Sequence, residues 1–354
     1  MLNDGPHDAT SDARANPLTR FRWRVPAQLR YAIALGVLYF ILVYVVFPQV
    51  AKTRHDVHVL AQVNVVSLVV AVLLEAAALL AYAALSRTVL APDGPRFSVQ
   101  LRINMSSLAL SHVVPGGTAP AGALGYRLLT DEGVSGSVAA FGLAAQGIGS
   151  AVVLNLLLWS ALVISIPLSG YNRLYGFAAL AGVFLLLAFF GTVILVTRGQ
   201  RHADAWLRRV AAHVPFTTPD GVSRMLQHVA DRITLLQTNR RLLSGVIGWA
   251  AANWLLDAAS LWVFIWAFGH FVSPLDLLVA YGLANVLAVI PITPAGLGVI
   301  ETVLISTLVG FRVPPAVAVL AVLSWRLINF WLPIPIGGGC YLSLRVRRRR
   351  ERER

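Results

Sequence analysis

Five ionisable side chains stand within otherwise apolar stretches of this sequence, and their types suit the handling of a charged substrate. An ionisable group inside a bilayer costs about 2.5–3.5 kcal/mol on insertion scales, so each one requires a compensating role. One interpretation is a transport site near the bilayer midplane, where acids and arginines pair, separate and pair again. The other is a set of static salt bridges and polar contacts between helices. The five residues are Glu75, Arg127, Asp257, Glu301 and Arg326.

Proline- and glycine-rich breaks interrupt two further apolar regions, at about 98–130 and 275–311. Proline removes a backbone donor and glycine relaxes the chain, so we expect no helix to run through either break. The half-helices on each side are too short to cross a bilayer, which predicts two re-entrant hairpins with tips inside the membrane. The predicted tips contain Pro115, Gly116, Gly117, Pro120 and Gly122 in the first hairpin, and Pro294, Gly296 and Gly298 in the second.

The second half of each hairpin is expected to begin just after a Pro-Ala-Gly sequence, at 120–122 and 294–296. Such a helix directs free amide groups and the positive end of its dipole toward the membrane middle, where they favour an anion such as phosphate. Arg127 adds a planar fork of donors that suits phosphate. Alternatively, the prolines and glycines form tight loops, and Arg127 pairs with an acid such as Glu301.

The composition is that of an integral membrane protein. Of the 354 residues, 57% are hydrophobic and 13% are charged, and the mean hydropathy is +0.71. Soluble domains carry about 25% charged residues. The one cysteine, Cys340, allows no disulfide within the chain. The net charge of +13 does not indicate nucleic acid binding, because the arginines lie at the ends of apolar segments, where they set topology and contact lipid headgroups.

Apolar runs predict about six transmembrane helices, since a spanning helix needs about 20 residues. Of the arginines, 23 lie on one side of this arrangement, and only four basic residues lie on the other. The positive-inside rule then places both termini on the cytoplasmic side of a cell inner (plasma) membrane. The runs cover about 31–47, 59–85, 136–165, 174–197, 242–268 and 315–341.

The long loop 198–241 is expected to be cytoplasmic, because it carries eight arginines. A cysteine at Ser223 in a Cys340→Ser background should therefore stay unlabelled by an impermeant thiol reagent added to intact cells. A cysteine at Thr53, in the predicted first outer loop, is the matched position that should react. Labelling at position 223 from outside would contradict this topology.

Each half of the chain has the same predicted order of helix, helix, broken hairpin and helix. The segments 73–79 and 255–261 are similar and place Glu75 and Asp257 at equivalent positions. Order, spacing and opposite orientation together predict an inverted repeat, with chance similarity in Leu/Ala-rich sequence as the alternative. Repeat 1 covers about 31–165 and repeat 2 about 174–341, within a transmembrane domain at 26–342. A disordered N-terminus (1–25) and a basic cytoplasmic tail (343–354) flank it.

The chain resembles the membrane domain of the lysylphosphatidylglycerol synthase/flippase family, the multiple peptide resistance factors. The resemblance covers nearly all of residues 30–342 and rests on Pro115–Arg127, Ile292–Glu301 and the pair Trp325–Arg326. It implies a lipid-flipping membrane domain in which the five ionisable residues named above are the matching positions. Full-length members continue into a soluble synthase domain, whereas this chain ends at Arg354, so aminoacyl transfer is not expected.

These features predict an all-α, lipid flippase-like transporter with no cofactor and no metal. The substrate is expected to be an anionic phospholipid or a polyprenyl-phosphate-linked lipid. No zinc-protease, P-loop or complete dinucleotide motif occurs in the sequence. Two alternatives remain. One is a membrane enzyme acting on a lipid-linked substrate, which is disfavoured because Asp56 is the only acid in the first outer loop. The other is a non-transporting partner of a separate lipid synthase.

We expect amide replacements at Glu301 and Asp257 to reduce transport more than folding, because each keeps the size of the side chain and removes its charge.

Overall fold

The structure is a computed structural model that describes residues 65–114, 117–169, scattered positions between 176 and 187, 239–288 and 296–352. All the described helices belong to one compact unit, His58–Arg354. The predicted span 31–47, most of the span 174–197, and most of the loop 198–241 lie outside these ranges, as do Asp56 and the predicted disordered segment 1–25. The same holds for the tip residues Pro115, Gly116 and Pro294.

Every regular element within the described ranges is a helix. Four helical runs are long and apolar enough to cross a membrane, at 66–90, 136–165, 240–267 and 315–351. Each overlaps one of the predicted spans, with ends that differ by at most ten residues, which confirms the all-α membrane class. In chain order the helices are α1 (Val65–Leu90), α2 (Phe97–Val113), α3 (Thr118–Asp131), α4 (Gly136–Ser169), α5 (Arg240–Ala267), α6 (Pro274–Leu287), α7 (Val299–Gly310), α8 (Pro315–Arg326) and α9 (Pro333–Arg352), with a π-helical turn, Leu327–Trp331, joining α8 to α9.

The first predicted break is shorter than its sequence indicates. Helix α2 ends at Val113 and α3 begins at Thr118, so Pro120 and Gly122 lie inside the first two turns of α3. The expectation that the helix is interrupted here is confirmed, but the expectation that the second half-helix starts only after residues 120–122 was wrong. The first amides of a helix have no intrahelical partner, so a proline in the first turn removes no hydrogen bond.

The second predicted break does stop the helix. Helix α6 ends at Leu287 and α7 begins at Val299, just after the glycines of the predicted tip. Gly296 has φ +70° and Gly298 has φ +84°. Glycine adopts this left-handed backbone without the steric penalty that a Cβ brings. Helices α6 and α7 are shorter apolar helices, below the length of a membrane span.

Helices α1 and α5 form the most extensive helix–helix contact among the described elements. Helix α2 packs against α9, and α4 packs against α6. The largest apolar core gathers side chains from α4 to α8, among them Phe264, Tyr281 and Trp325. Large apolar side chains such as Leu73, Val163 and Trp266 are instead exposed. An outer surface of this kind is expected where lipid, not water, surrounds the helices.

The basic end of α9 is tied to the end of α3. Arg347 forms an ion pair with Glu132, and Arg348 forms ion pairs with Asp131 and Glu132. The predicted basic tail therefore continues as helix to Arg352. The end of α3 and the tail lie on the same side of the protein.

Close packing of α9 on α2 depends on a glycine. A Cβ at Gly337 would lie 2.1 Å from the carbonyl oxygen of Met105 and 2.6 Å from the Cβ of Ala109. Gly337→Ala should therefore lower the free energy of unfolding by about 1–3 kcal/mol, because the two helices must separate. Gly338→Ala is the matched control, since its Cβ meets nothing within 4 Å. Thermal unfolding in detergent checks both variants, and equal stability would contradict the packing.

Candidate functional site

Two acids meet around one amide in the interior of the helical bundle. Glu75 on α1 and Asp257 on α5 are both buried. The amide nitrogen of Asn329, in the π-helical turn, donates to Glu75 Oε1 and to Asp257 Oδ1, each at 3.1 Å. Tyr281 donates its hydroxyl to Asp257 Oδ2 at 2.6 Å, and Trp325 donates Nε1–H to Oδ1 at 2.7 Å. We call these five residues the acid–amide cluster.

Local helix geometry explains why Asn329 reaches the acids. The turn Leu327–Trp331 is π-helical, so one extra residue fits into the turn that follows α8. Pro333 and Pro335 follow at the start of α9, where a proline cannot donate the usual backbone hydrogen bond. Single-turn π-helices of this kind occur frequently at functional sites.

A buried ion pair lies beside the cluster. Arg326, at the end of α8, donates Nε–H to Glu301 Oε1 at 2.5 Å, and both residues are buried. The other carboxylate oxygen of Glu301 accepts the backbone N–H of Gly298 at 2.6 Å and so caps the start of α7. The guanidinium carbon of Arg326 lies 4.7 Å from the ring centre of Phe330, a cation–π contact. Trp325 and Arg326 are consecutive, so α8 connects the ion pair to the cluster.

His112, on α2, packs against the π-helical turn that carries Asn329. Its Nδ1 lies 2.8 Å from the carbonyl oxygen of Phe330, and the two rings stack with centres 4.3 Å apart. The π-helical turn therefore contacts α1, α2 and α5 through Asn329 and Phe330.

Two buried polar atoms here lack a hydrogen-bond partner among the described residues: Glu75 Oε2 and Arg326 Nη2. An unmatched buried polar atom is costly, about 1–3 kcal/mol and more when charged, so such atoms are rare in folded proteins. One is an acceptor and the other is a donor. Together they could bind a polar group that carries both a donor and an anionic oxygen.

The structure brings together four of the five predicted site residues, and Arg127 is not among them. Arg127 is exposed, one helical turn before the end of α3. It makes no ion pair with a described residue, and the partner of Glu301 is Arg326, not Arg127.

At the first tip, Gly117 permits a close backbone approach, since a Cβ there would lie 2.1 Å from the carbonyl oxygen of Ser111.

Tyr281 and Asn329 belong to the site but were not predicted from the sequence. Neither carries a formal charge, so neither has the insertion cost that distinguishes the acids and arginines. The sequence contains a weaker indication of Asn329, because it is a polar residue between apolar neighbours, Leu327 and Ile328 before it and Phe330 and Trp331 after it. Among the described residues, no group of three or more His, Cys, Asp or Glu side chains could hold a metal ion.

The sequence of residues 26–337 matches the family described as the lysylphosphatidylglycerol synthase TM region. This chain belongs to that family. The match confirms the resemblance noted from the sequence. As a member of the lysylphosphatidylglycerol synthase TM family, the chain carries both the acid–amide cluster and the Glu301–Arg326 pair within the matched region, which ends at Gly337.

Two curated membrane proteins are similar to this chain over a segment of their sequences. A UPF0104 membrane protein of Methanocaldococcus jannaschii is 29% identical over 97 residues, which is 27% of this chain and 28% of the relative. The inner membrane protein YbhN of Escherichia coli K12 is 28% identical over 95 residues, 27% of this chain and 29% of the relative. The matched segments thus span less than a third of these relatives.

Proposed function

We propose that this protein is a flippase-like transporter that moves an anionic phospholipid or a polyprenyl-phosphate-linked lipid across the inner membrane. The observation that carries the proposal is the buried acid–amide cluster with the adjoining Glu301–Arg326 pair. Two of its helices, α1 and α5, are apolar enough to cross a membrane. Intramembrane charges that face the interior of a bundle mark substrate pathways in transporters.

The two unpartnered atoms complement a phospholipid headgroup. Arg326 can keep Nε–H on Glu301 while its Nη2 donates to a phosphate oxygen, since a guanidinium presents several donors in a fixed fork. Glu75 Oε2 can accept a hydroxyl or ammonium hydrogen from the same headgroup. The headgroup would then cross the bilayer shielded from hydrocarbon, where an isolated charge is prohibitive.

An inverted repeat is the second part of the proposal, and helix packing supports it. In this arrangement α1, the α2–α3 hairpin and α4 correspond to α5, the α6–α7 hairpin and the α8–α9 run. The last helix of each set packs against the first hairpin helix of the other, as α4 on α6 and α9 on α2. The two leading helices, α1 and α5, pack against each other. Transporters with inverted repeats bind substrate at the interface between repeats.

Reconstitution tests the proposed activity. Proteoliposomes containing the full chain and headgroup-labelled phosphatidylglycerol are mixed with an impermeant quencher, and the rate at which inner-leaflet label becomes accessible is measured. We expect a faster rate than in protein-free vesicles, and a faster rate for phosphatidylglycerol than for labelled phosphatidylcholine. Rates equal to those of protein-free vesicles would instead favour a static role for the cluster in a non-transporting protein.

A further inference from the structure

A groove of about 810 Å³ runs along the seam between α1 and α5, and none of the five residues of the acid–amide cluster lines it. Small side chains line it on α1, and the wall on α5 is apolar. It is open to the surroundings, because Leu80 is 45% exposed and Trp249 is 44% exposed. The lining includes Ala77, Ala81 and Ala84 on α1 and Trp249, Ala252 and Leu256 on α5.

Positive charge lies at one end of this groove. Arg87 lines it there, is exposed, and makes no ion pair or hydrogen bond with another described residue. Thr88 lies next to it, but its hydroxyl already donates to the carbonyl oxygen of Ala84. The start of α5 reaches the same end, since a Cβ at Gly245 would lie 3.3 Å from Thr88 Cγ2. That start carries the exposed Arg240 and Arg241. Asp93, between the lining residues Pro92 and Gly94, is an acid at the same end.

We propose that this groove is a docking site for one anionic phospholipid, with an acyl chain along the alanine-lined wall and the phosphate at Arg87. Apolar walls with charge at one end match the shape of a phospholipid, and the volume lies within the range of about 300–1,000 Å³ usual for small-molecule sites. Arginine donors favour phosphate, and clustered arginines attract anionic lipid. The phospholipid is held there whether or not the protein transports it.

The far end of the groove lies close to the acid–amide cluster along both helices. Ala77 and Leu256 line that end, and they stand two residues after Glu75 and one residue before Asp257. A lipid docked in the groove would therefore lie beside the helices that carry the two acids. Given the transport function proposed above, the groove is suited to hold the lipid substrate before its headgroup moves inward.

Native mass spectrometry of the purified full chain tests the docking site. The protein is delipidated, then titrated with phosphatidylglycerol or with phosphatidylcholine, and the occupancy of the first bound lipid is measured. We expect a preference for phosphatidylglycerol in the wild type. Arg87→Gln should weaken phosphatidylglycerol binding about tenfold, because one charge-assisted contact to the phosphate is lost. It should weaken phosphatidylcholine binding less, because the choline ammonium already balances the phosphate charge of that lipid.

Two further variants separate the groove from the rest of the lipid-facing surface. Ala252→Leu narrows the groove and should weaken binding of both lipids, whereas Ala76→Leu, an exposed position on α1 outside the lining, should change neither. Arg312→Gln, an exposed arginine elsewhere, is the control for loss of charge.

Any of three results would overturn the docking site. The first is equal occupancy of the wild type by the two lipids. The second is unchanged lipid binding in Arg87→Gln and also in Ala252→Leu. The third is a wild-type dimer that dissociates in Ala252→Leu, which would assign the groove to a second copy of the chain. A failure of lipid translocation in proteoliposomes would leave the docking site standing, since binding is measured without transport.

Discussion

Asp257→Asn is expected to lower the rate of phosphatidylglycerol translocation by at least about tenfold. The carboxylate of Asp257 accepts hydrogen bonds from Tyr281, Trp325 and Asn329. An amide offers one acceptor oxygen and turns a new NH₂ group toward these donors. A hydrogen bond to a charged group is worth about 1.5–3 kcal/mol, and about 1.4 kcal/mol corresponds to a tenfold change.

The same substitution at Asp276 is the matched control for Asp257→Asn. Asp276 lies in the first turn of α6, outside the acid–amide cluster. Asp276 is half-buried and accepts a hydrogen bond from Ser165. We expect Asp276→Asn to translocate lipid within about twofold of the wild type, since the amide oxygen of asparagine can still accept that hydrogen bond. Rates are compared at equal reconstituted protein, with unfolding measured in parallel. A normal rate for Asp257→Asn would show that this carboxylate is incidental to transport.

Removing either partner of the Glu301–Arg326 pair is expected to lower the free energy of unfolding by about 3–5 kcal/mol. Both side chains are buried, so each single replacement leaves the other charge uncompensated. Glu301→Gln also weakens the cap on Gly298 at the start of α7. This cost revises the expectation from the sequence that Glu301 matters more for activity than for folding, because the burial of its partner is visible only in the structure.

The double variant Glu301→Gln, Arg326→Gln should recover part of that stability, because no unpaired charge remains. Glu351→Gln is the control: it removes a 3.4 Å pair with Arg347 in which Glu351 is 62% exposed, and it should cost about 1 kcal/mol or less. Denaturant unfolding in detergent is measured for the wild type, the two single variants, the double variant and the control. Additive losses in the double variant would mean that the two residues do not act as a pair.

The apolar spans and the intramembrane acids could be predicted from the sequence because both depend on the cost of polar groups in hydrocarbon. That cost applies to a residue by itself, whatever its partner. Glu75, Asp257, Glu301 and Arg326 could be identified in this way. Their partners could not, because Asn329 is 254 residues from Glu75 along the chain and is aimed at it by a π-helical turn.

Arg127 gave the same sequence signal but lies elsewhere. Arg127 and Glu301 each lie seven residues after a proline, Pro120 and Pro294. They were therefore expected at equivalent positions, on the assumption that each following helix starts after its proline. Helix α3 starts before Pro120, so Arg127 falls near its end, whereas Glu301 falls in the first turn of α7. A shift of a few residues in a helix start moves a side chain by one or two turns. The count of six spans, the re-entrant hairpins and the cytoplasmic termini remain predictions.

Photo-crosslinking tests most directly whether a lipid headgroup passes through the acid–amide cluster. Phosphatidylglycerol with a photoreactive group beside the phosphate is reconstituted with the full chain and irradiated, and the modified peptides are mapped by mass spectrometry. We expect adducts in the buried turn Leu327–Trp331 that unlabelled phosphatidylglycerol reduces and that diminish in Asp257→Asn. Adducts confined to exposed positions such as Leu156 and Val163 on α4, with none in that turn, would contradict a route for lipid through the cluster.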